Sequence, residues 1–511
     1  MTRSMTANPM LRRGLWVAAF VPFVVLAALR IPEGPRFDEE DYAHYLLHAK
    51  AIAEGRAYTD IGFLSTPLNP WIGPVAMPPG VPTLLAPIVA IGGTKSALLP
   101  VVSLLFAIAF LTVAARYVAV SEGTSLAMAV ALCAGLQPNV LHFASQPLSD
   151  LPFAALVWAV LLLGDHRSDA PWSAVRLLGI TLLGAAAIST RLAGIALIPA
   201  IGAYGLLHFR TQRWRPLVPL IAWVLVFKLT SDLLPTMNAM MPRVSSETAM
   251  LWRLLRTAAR TYGYAILDAQ LYPFQSPSLN RLFHVATVLL LGIGLMPLAR
   301  RYWKTLLGLF TFAYVSMLLI VPVSDLRYLY PLIPVALLLT LQGAVTVIEW
   351  IRPTLPARRI VAGGSVMVAS LAIVASWTPA TPTGITTHPE VQELYAEVRS
   401  LPRDPVLRLM VFRPRILVLE TGVRAMALAR GTEPEILSEL CTRRITHVVL
   451  GDLGSYPAET AHLQRAMASV PGVFTRDYQN SRFTLFRVDH VALASVVGRS
   501  TCSSDAAIQR F

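Results

Sequence analysis

The sequence predicts a polytopic α-helical membrane protein with a soluble α/β domain at its C-terminal end. Three observations predict it. Hydrophobic residues make up 55% of the 511-residue chain and the mean hydropathy is +0.57, more than a soluble core needs. Apolar stretches of about 16 to 22 residues, the length that crosses a hydrocarbon layer, recur along most of the chain. Beyond residue 380 they give way to short β-rich runs alternating with helical ones.

The apolar stretches fall at residues 14–30, 96–115, 124–143, 150–164, 174–189, 192–208, 216–234, 282–299, 304–322, 329–348 and 360–378, about eleven transmembrane helices. The first follows Arg3, Arg12 and Arg13 and meets no small-residue cleavage site before Arg36, so a retained helix is expected rather than a cleaved signal peptide. With a cytoplasmic N-terminus, the inner segments hold Arg116, Arg167 and Arg176, Arg210 to Arg215, Arg300 to Lys304, and Arg352 to Arg359. The short outer loops hold Asp150, then Arg191, then Asp325 with Arg327. That alternation suits eleven spans with the C-terminus outside. The net charge of +14 therefore orients the chain in an inner (plasma) membrane, and nucleic acid is not an expected partner.

Two long outer segments interrupt the spans, and together with them form a transmembrane domain over residues 1–380. Residues 31–95 open with an acidic string, continue as an amphipathic helix that Gly55 can end, and become Pro-rich from Pro67 to Pro87. Residues 235–281 carry Arg253, Arg256 and Arg260 at helical spacing, a face suited either to a lipid-linked phosphate or to lipid headgroups. Residues 381–511 read as a small extracytoplasmic α/β domain. Its expected strands are Val406–Phe412, Ile416–Glu420, His447–Leu450 and Phe483–Val488, and its expected helices Pro389–Leu401, Glu433–Arg443 and Ala458–Val470. It shows no Gly-rich phosphate loop, nucleophile elbow or metal cluster, and is read as an acceptor-binding or packing module in which His388, His447 and Asp452 are scattered single groups. Cys133 lies inside an apolar run, and the spacing of Cys441 and Cys502 gives no positive signal for a disulfide, so none is expected.

Chemistry is concentrated in the outer segments. Asp38-Glu39-Glu40-Asp41 follows directly on the first span, and carboxylates so crowded beside a membrane are costly unless they bind, position or deprotonate something. His44 and His48 share a helical face at four-residue spacing, as metal ligands can, but no third ligand pattern accompanies them. A divalent cation is left open and the metal ligands are unknown.

The string Phe37-Asp38-Glu39-Glu40-Asp41-Tyr42, followed by Met77-Pro78-Pro79-Gly80-Val81-Pro82, resembles the first periplasmic loop of GT-C superfamily glycosyltransferases, such as the protein O-mannosyltransferases and the lipid A aminoarabinose transferase. Ser149-Asp150-Leu151-Pro152 resembles their second acidic site, Thr190-Arg191 a recurring Thr-Arg element, and Arg327-Tyr328-Leu329-Tyr330-Pro331 a late Arg-Tyr-x-x-Pro element. The resemblance covers about residues 14–350. It implies transfer of a sugar from a polyprenyl-phosphate donor to an acceptor hydroxyl on a lipid, glycan or protein, inverting the anomeric carbon at the outer face of the membrane. The aminoarabinose branch has Arg where Asp41 stands and Lys where Met77 stands. Their replacement argues against that donor and leaves Arg191, Arg260, Arg327 and Tyr328 as the donor-phosphate candidates.

Such a transfer needs a carboxylate for the acceptor hydroxyl and cations for the leaving phosphate. Asp38 is the candidate base, helped by Glu39, and Asp150 would orient that region or the acceptor. Each has a plainer reading. The acidic string and Asp150 both suit helix starts, Arg191 can snorkel, and Arg327 can pair with Asp325. The competing function is a transporter or flippase for lipid-linked saccharides, which calls for repeated halves and polar residues at mid-membrane. Here the spans are nearly free of charge, Lys228 excepted, and the polar groups gather on one side.

Overall fold

The computed structural model of the chain describes residues 20–29, 31, 40–69, 75–165, 172–209, 214–232, 256–257, 276–320, 326–376, 385–403, 406–451, 457–498 and 502. The contacts of the chain divide it into two compact units. One contains Ala97–Thr230 and Pro242–Thr381 together with the N-terminal residues; the other contains Pro35–Ser96 and Pro382–Phe511. A division at residue 380 alone does not anticipate that residues 35–96 group with the C-terminal ones.

In the first unit the apolar stretches are mostly helical where they are described: Phe20–Leu29, Leu98–Glu122, Thr124–Gly135, Asp150–Gly164, Ala174–Thr190, Leu197–His208, Trp214–Asp232, Pro277–Tyr302, Leu306–Ile320, Ile333–Ile351 and Ala357–Ser376. Four segments, Leu98–Glu122, Trp214–Asp232, Ser278–Tyr302 and Arg327–Ile351, are long and apolar enough to cross a membrane by length and composition. The stretch expected at 124–143 breaks in two. The Gln137 side chain accepts from the Val140 N–H at 2.8 Å and starts a new short helix, Pro138–Phe143, with proline in its first turn.

Small residues bring the long helices together. A Cβ on Gly294 would strike the Leu339 carbonyl and one on Gly343 the Leu290 carbonyl, so Pro277–Tyr302 and Ile333–Ile351 touch backbone to backbone. Among the described residues of this unit, the acids Glu122 and Asp165 are both satisfied. Glu122 accepts from Tyr302 Oη at 2.6 Å and Arg301 Nη1 at 2.9 Å, and Asp165 accepts the N–H groups of Leu306 and Leu307 at 3.0 and 3.2 Å, capping their helix.

The second unit is built on a six-stranded sheet of order β1-β3-β2-β4-β6-β5, comprising β1 Phe63–Leu64, β2 Arg408–Val411, β3 Arg424–Ala427, β4 His447–Leu450, β5 Phe474–Gln479 and β6 Thr484–Val488. The pairs from β1 to β4 are parallel, and β4–β6 and β6–β5 are antiparallel. The first strand comes from the segment 35–96, its residues 362 positions upstream of those they pair with (Phe63 with Ala425, Leu64 with Met426). Asn69 Nδ2 reinforces that join by donating to Leu428 O at 2.7 Å.

Two expectations fail in this unit. Ile416–Glu420 is not a strand but the middle of the helix Pro414–Thr421. Pro414 occupies the first turn and Gly422, at φ 71°, takes the left-handed position that ends it, so local punctuation overrides a five-residue apolar run. Cys441 and Cys502 are bonded to each other with Cα atoms 5.1 Å apart. The described helices Pro389–Ser400, Glu433–Thr442 and Pro457–Ala468 agree with the expected ones, and Gly80–Gly92 adds a helix in the Pro-rich part of the segment 35–96.

Candidate functional site

In the first unit, three sequence elements that are far apart along the chain converge. Asp150 opens the helix Asp150–Gly164, where the dipole favours a carboxylate, yet it is only 2% exposed. Arg191 sits where the Ala174–Thr190 helix stops, its backbone extended at φ −147° before a 3-10 turn, Leu192–Ala196, resumes the path. This break swings the guanidinium back to Asp150 Oδ1, with which Nη1 forms a hydrogen-bonded ion pair, and Nη1 also donates to Ser149 Oγ at 3.1 Å. Ser149 precedes the helix as expected, but its hydroxyl serves Arg191 and makes no cap hydrogen bond. The other face of Arg191 covers the Tyr328 ring at 4.6 Å, a cation–π contact.

Tyr328 is fixed from behind. It lies in the 3-10 turn Leu326–Leu332, whose Tyr328 carbonyl accepts from Tyr314 Oη at 2.8 Å and whose Pro331 carbonyl accepts from buried Trp158 Nε1 at 3.0 Å. Arg327 precedes it in the same turn and is half-buried. The result is a carboxylate, a guanidinium and a phenol ring held by three α-helices and a 3-10 turn, an arrangement whose parts have little freedom to reorient.

In the second unit the acidic string continues into the helix Glu40–Ala53. Glu40 and Asp41 begin it, and both face Arg415, which comes from the C-terminal helix Pro414–Thr421: Arg415 Nε lies 3.9 Å from Glu40 Oε2, and Nη1 lies 3.5 Å from Asp41 Oδ1. Arg415 is 1% exposed and stacks over the Phe63 ring at 4.7 Å. Burial pushes the Glu40 carboxyl up to about 7, although Arg415 and then Arg413 pull it down. Sequence reasoning missed Arg415, since nothing in a lone arginine 374 residues from Asp41 marks it as their partner.

His44 and His48 are both buried. His48 Nδ1 donates to Tyr58 O at 2.8 Å while its Nε2 accepts from the Met77 N–H at 3.3 Å, so both nitrogens are occupied and the ring is neutral. His44 Nε2 donates to Val75 O at 2.9 Å. These bonds tie residues 75–77, just before Pro78-Pro79, to the acidic helix. Burial first, assisted by Arg415, drives the His44 pKa well down, and burial takes that of His48 to about 4. Among the described residues no group of three or more His, Cys, Asp or Glu side chains fits a metal ion, and His48 has no lone pair to offer one.

Of the residues singled out from the sequence, Asp150, Arg191 and Tyr328 meet, with Arg327 beside them. Asp38, Glu39 and Arg260 lie outside the described residues, as do Arg253, Asp325 and Asp452.

No family model and no curated protein matches the chain. Solved structures do. The crystal structure of ArnT from Cupriavidus metallidurans in the apo state is 14% identical, with a TM-score of 0.56 over 94% of this chain and 99% of that one. The same protein bound to undecaprenyl phosphate gives 0.53 at 14% identity, over 94% and 98%. The Archaeoglobus fulgidus oligosaccharyltransferase in complex with Zn and sulfate gives 0.55 at 13% identity, over 92% and 73%; with an inhibitory peptide and a dolichol-phosphate it gives 0.53 at 11%, over 94% and 75%. These likenesses show that the chain has the GT-C fold, across both of its units.

Proposed function

We propose that this chain is a membrane glycosyltransferase that moves a sugar from a polyprenyl-phosphate donor to an acceptor hydroxyl at the outer face of the cytoplasmic membrane. The observation that carries the reading is the convergence of Asp150, Arg191 and Tyr328, drawn from three separate motifs, within a fold whose neighbours have been solved in complex with undecaprenyl phosphate and with a dolichol-phosphate.

In this reading the acceptor oxygen attacks C1 of the sugar as its bond to the donor phosphate breaks, so the anomeric carbon inverts in one displacement and no covalent enzyme intermediate forms. Asp38, helped by Glu39, takes the acceptor proton. The polyprenyl phosphate leaves with an added negative charge, for which Arg191, Arg260 and Arg327 are the proposed counter-charges and Tyr328 a hydroxyl donor. Asp150 holds Arg191 in one rotamer, so that the guanidinium need not reorganise when charge develops.

Two further observations support an outer location for the C-terminal residues: the alternation of basic loops, and the Cys441–Cys502 bond, which suits an oxidising compartment. The transfer reading is tested by purifying Asp38→Asn in detergent and measuring transfer from a radiolabelled polyprenyl-phosphate sugar. A loss of about 100-fold or more is expected for a removed general base, and undiminished transfer would overturn the assignment.

A further inference from the structure

The in-register pairing of β2 with β3 sets Arg408 directly beside Arg424 at the start of both strands. Like charges on adjacent strand positions oppose pairing, so the placement needs a reason. The two guanidiniums line a cavity of about 230 Å³ together with Arg443, which follows the helix Glu433–Thr442, and the hydroxyl side chains Thr59, Ser65 and Thr442. A single carboxylate, Asp60, shares the lining, and Arg424 Nη2 lies 3.4 Å from its Oδ1. Arg443 is also held by Glu439 of its own helix at 3.1 Å. Arg408 Nη1 donates to the Arg443 carbonyl at 2.9 Å, a neutral partner that orients the guanidinium without cancelling its charge. Burial, and then Arg424, Arg444 and Arg443, disfavour the charged form of Arg408.

We infer that this cavity, formed by the outer segment and the C-terminal sheet, binds a phosphate group, with Arg408 and Arg424 as its principal donors. Guanidiniums matched with hydroxyls suit a tetrahedral oxyanion presenting several acceptor oxygens. The volume falls below the roughly 300–1,000 Å³ of drug-sized sites, so it admits one phosphate with a small polar appendage and not an oligosaccharide. Asp60 then acts as the internal counter-ion that occupies Arg424 when the phosphate is absent. The lining shares no residue with the Asp150–Arg191–Tyr328 cluster, and the inference does not depend on the transfer reaction. The phosphate has two sources, the headgroup of an anionic phospholipid or a phosphate carried by a water-soluble molecule.

The test uses the full chain in detergent at low ionic strength, titrated with inorganic phosphate against a chloride control of matched ionic strength and followed by thermal unfolding. Phosphate is expected to raise the unfolding midpoint of the wild type. Arg424→Gln should weaken the apparent affinity about tenfold, the worth of one charge-assisted hydrogen bond. Asp60→Asn should strengthen it severalfold, a change of sign that a merely damaged fold does not produce. Repeating the titration in nanodiscs identifies the source: a phosphate response abolished by phosphatidylglycerol but kept in phosphatidylcholine assigns the site to a lipid headgroup, whereas a response kept in both assigns it to a soluble phosphate. The inference is overturned if the wild type responds to phosphate no more than to chloride, or if Asp60→Asn and Arg424→Gln respond as the wild type does.

Discussion

At the scale of single residues, the described groups that bear charge are mostly paired, and the pairs decide what substitutions do. Arg191→Ala would leave Asp150, 2% exposed, buried without its cation, a loss of about 3–5 kcal/mol for a broken buried pair. The double variant Asp150→Ala/Arg191→Ala should lose less than Arg191→Ala alone, and thermal unfolding in detergent measures the difference; equal losses would mean that the pair is not coupled. Glu40 gives a prediction in pH. Its carboxyl rises from the ordinary 4.5 to about 7 on folding, so between those values the folded chain keeps a proton that the unfolded chain has released, and stability falls as pH rises. Buried His44 and His48 act in the opposite direction: their pKa values drop on folding, and stability is lost as pH falls below about 6.5. The wild type therefore masks both effects. The unfolding free energy of Glu40→Gln, measured relative to wild type, should climb from pH 4.5 to 7 and level off above, by up to about 3 kcal/mol, and a difference flat in pH would remove the assignment. Asp150, Arg191 and Tyr328 were legible in the sequence because each sits in a short motif at a span boundary. Arg415 was not, because its role arises only from the fold that places it against Glu40 and Asp41.

At the scale of elements, apolar length was a dependable guide and short runs were not. Each apolar stretch of about 16 residues or more is mostly helical where described, the 124–143 stretch with a break at Leu136–Gln137, since a chain of that composition has few other ways to satisfy its backbone in lipid. The run at 416–420 failed because five apolar residues fit a strand or a buried helix equally well, and the deciding signals, Pro414 and Gly422, flank it. Strand β1, two residues long, carries no periodicity to detect. Helix contact adds a constraint that periodicity does not express: Gly294 and Gly343 let two long helices approach until backbone meets backbone. Gly343→Leu should force them apart at a cost of about 1–3 kcal/mol or more, as overpacking does. Gly363→Leu, at a position where an added Cβ meets nothing within 4 Å, is the control that should leave the unfolding midpoint nearly unchanged.

At the scale of the whole molecule, the unit that holds the acidic string also holds the C-terminal sheet, and this changes what the C-terminal residues are for. They supply Arg415 to Glu40 and Asp41, and β3 pairs with the strand at Phe63–Leu64, so they scaffold the segment 35–96 and are not an appended module. That scaffold is closed by the Cys441–Cys502 bond over a sequence separation of 61, which in the chain-entropy account stabilises by about 4 kcal/mol. The bond also joins topology to chemistry. If the C-terminal residues face an oxidising compartment, membranes collected without reductant, trapped with acid and denatured should expose only Cys133 to a maleimide, and reductant should release two further thiols. A cysteine introduced at Ser400 in a Cys441→Ser/Cys502→Ser background should then label from outside intact cells with a membrane-impermeant maleimide. Three thiols without reductant, together with labelling only after lysis, would place the domain in the cytoplasm and with it the acidic string, away from the face at which the proposed reaction occurs.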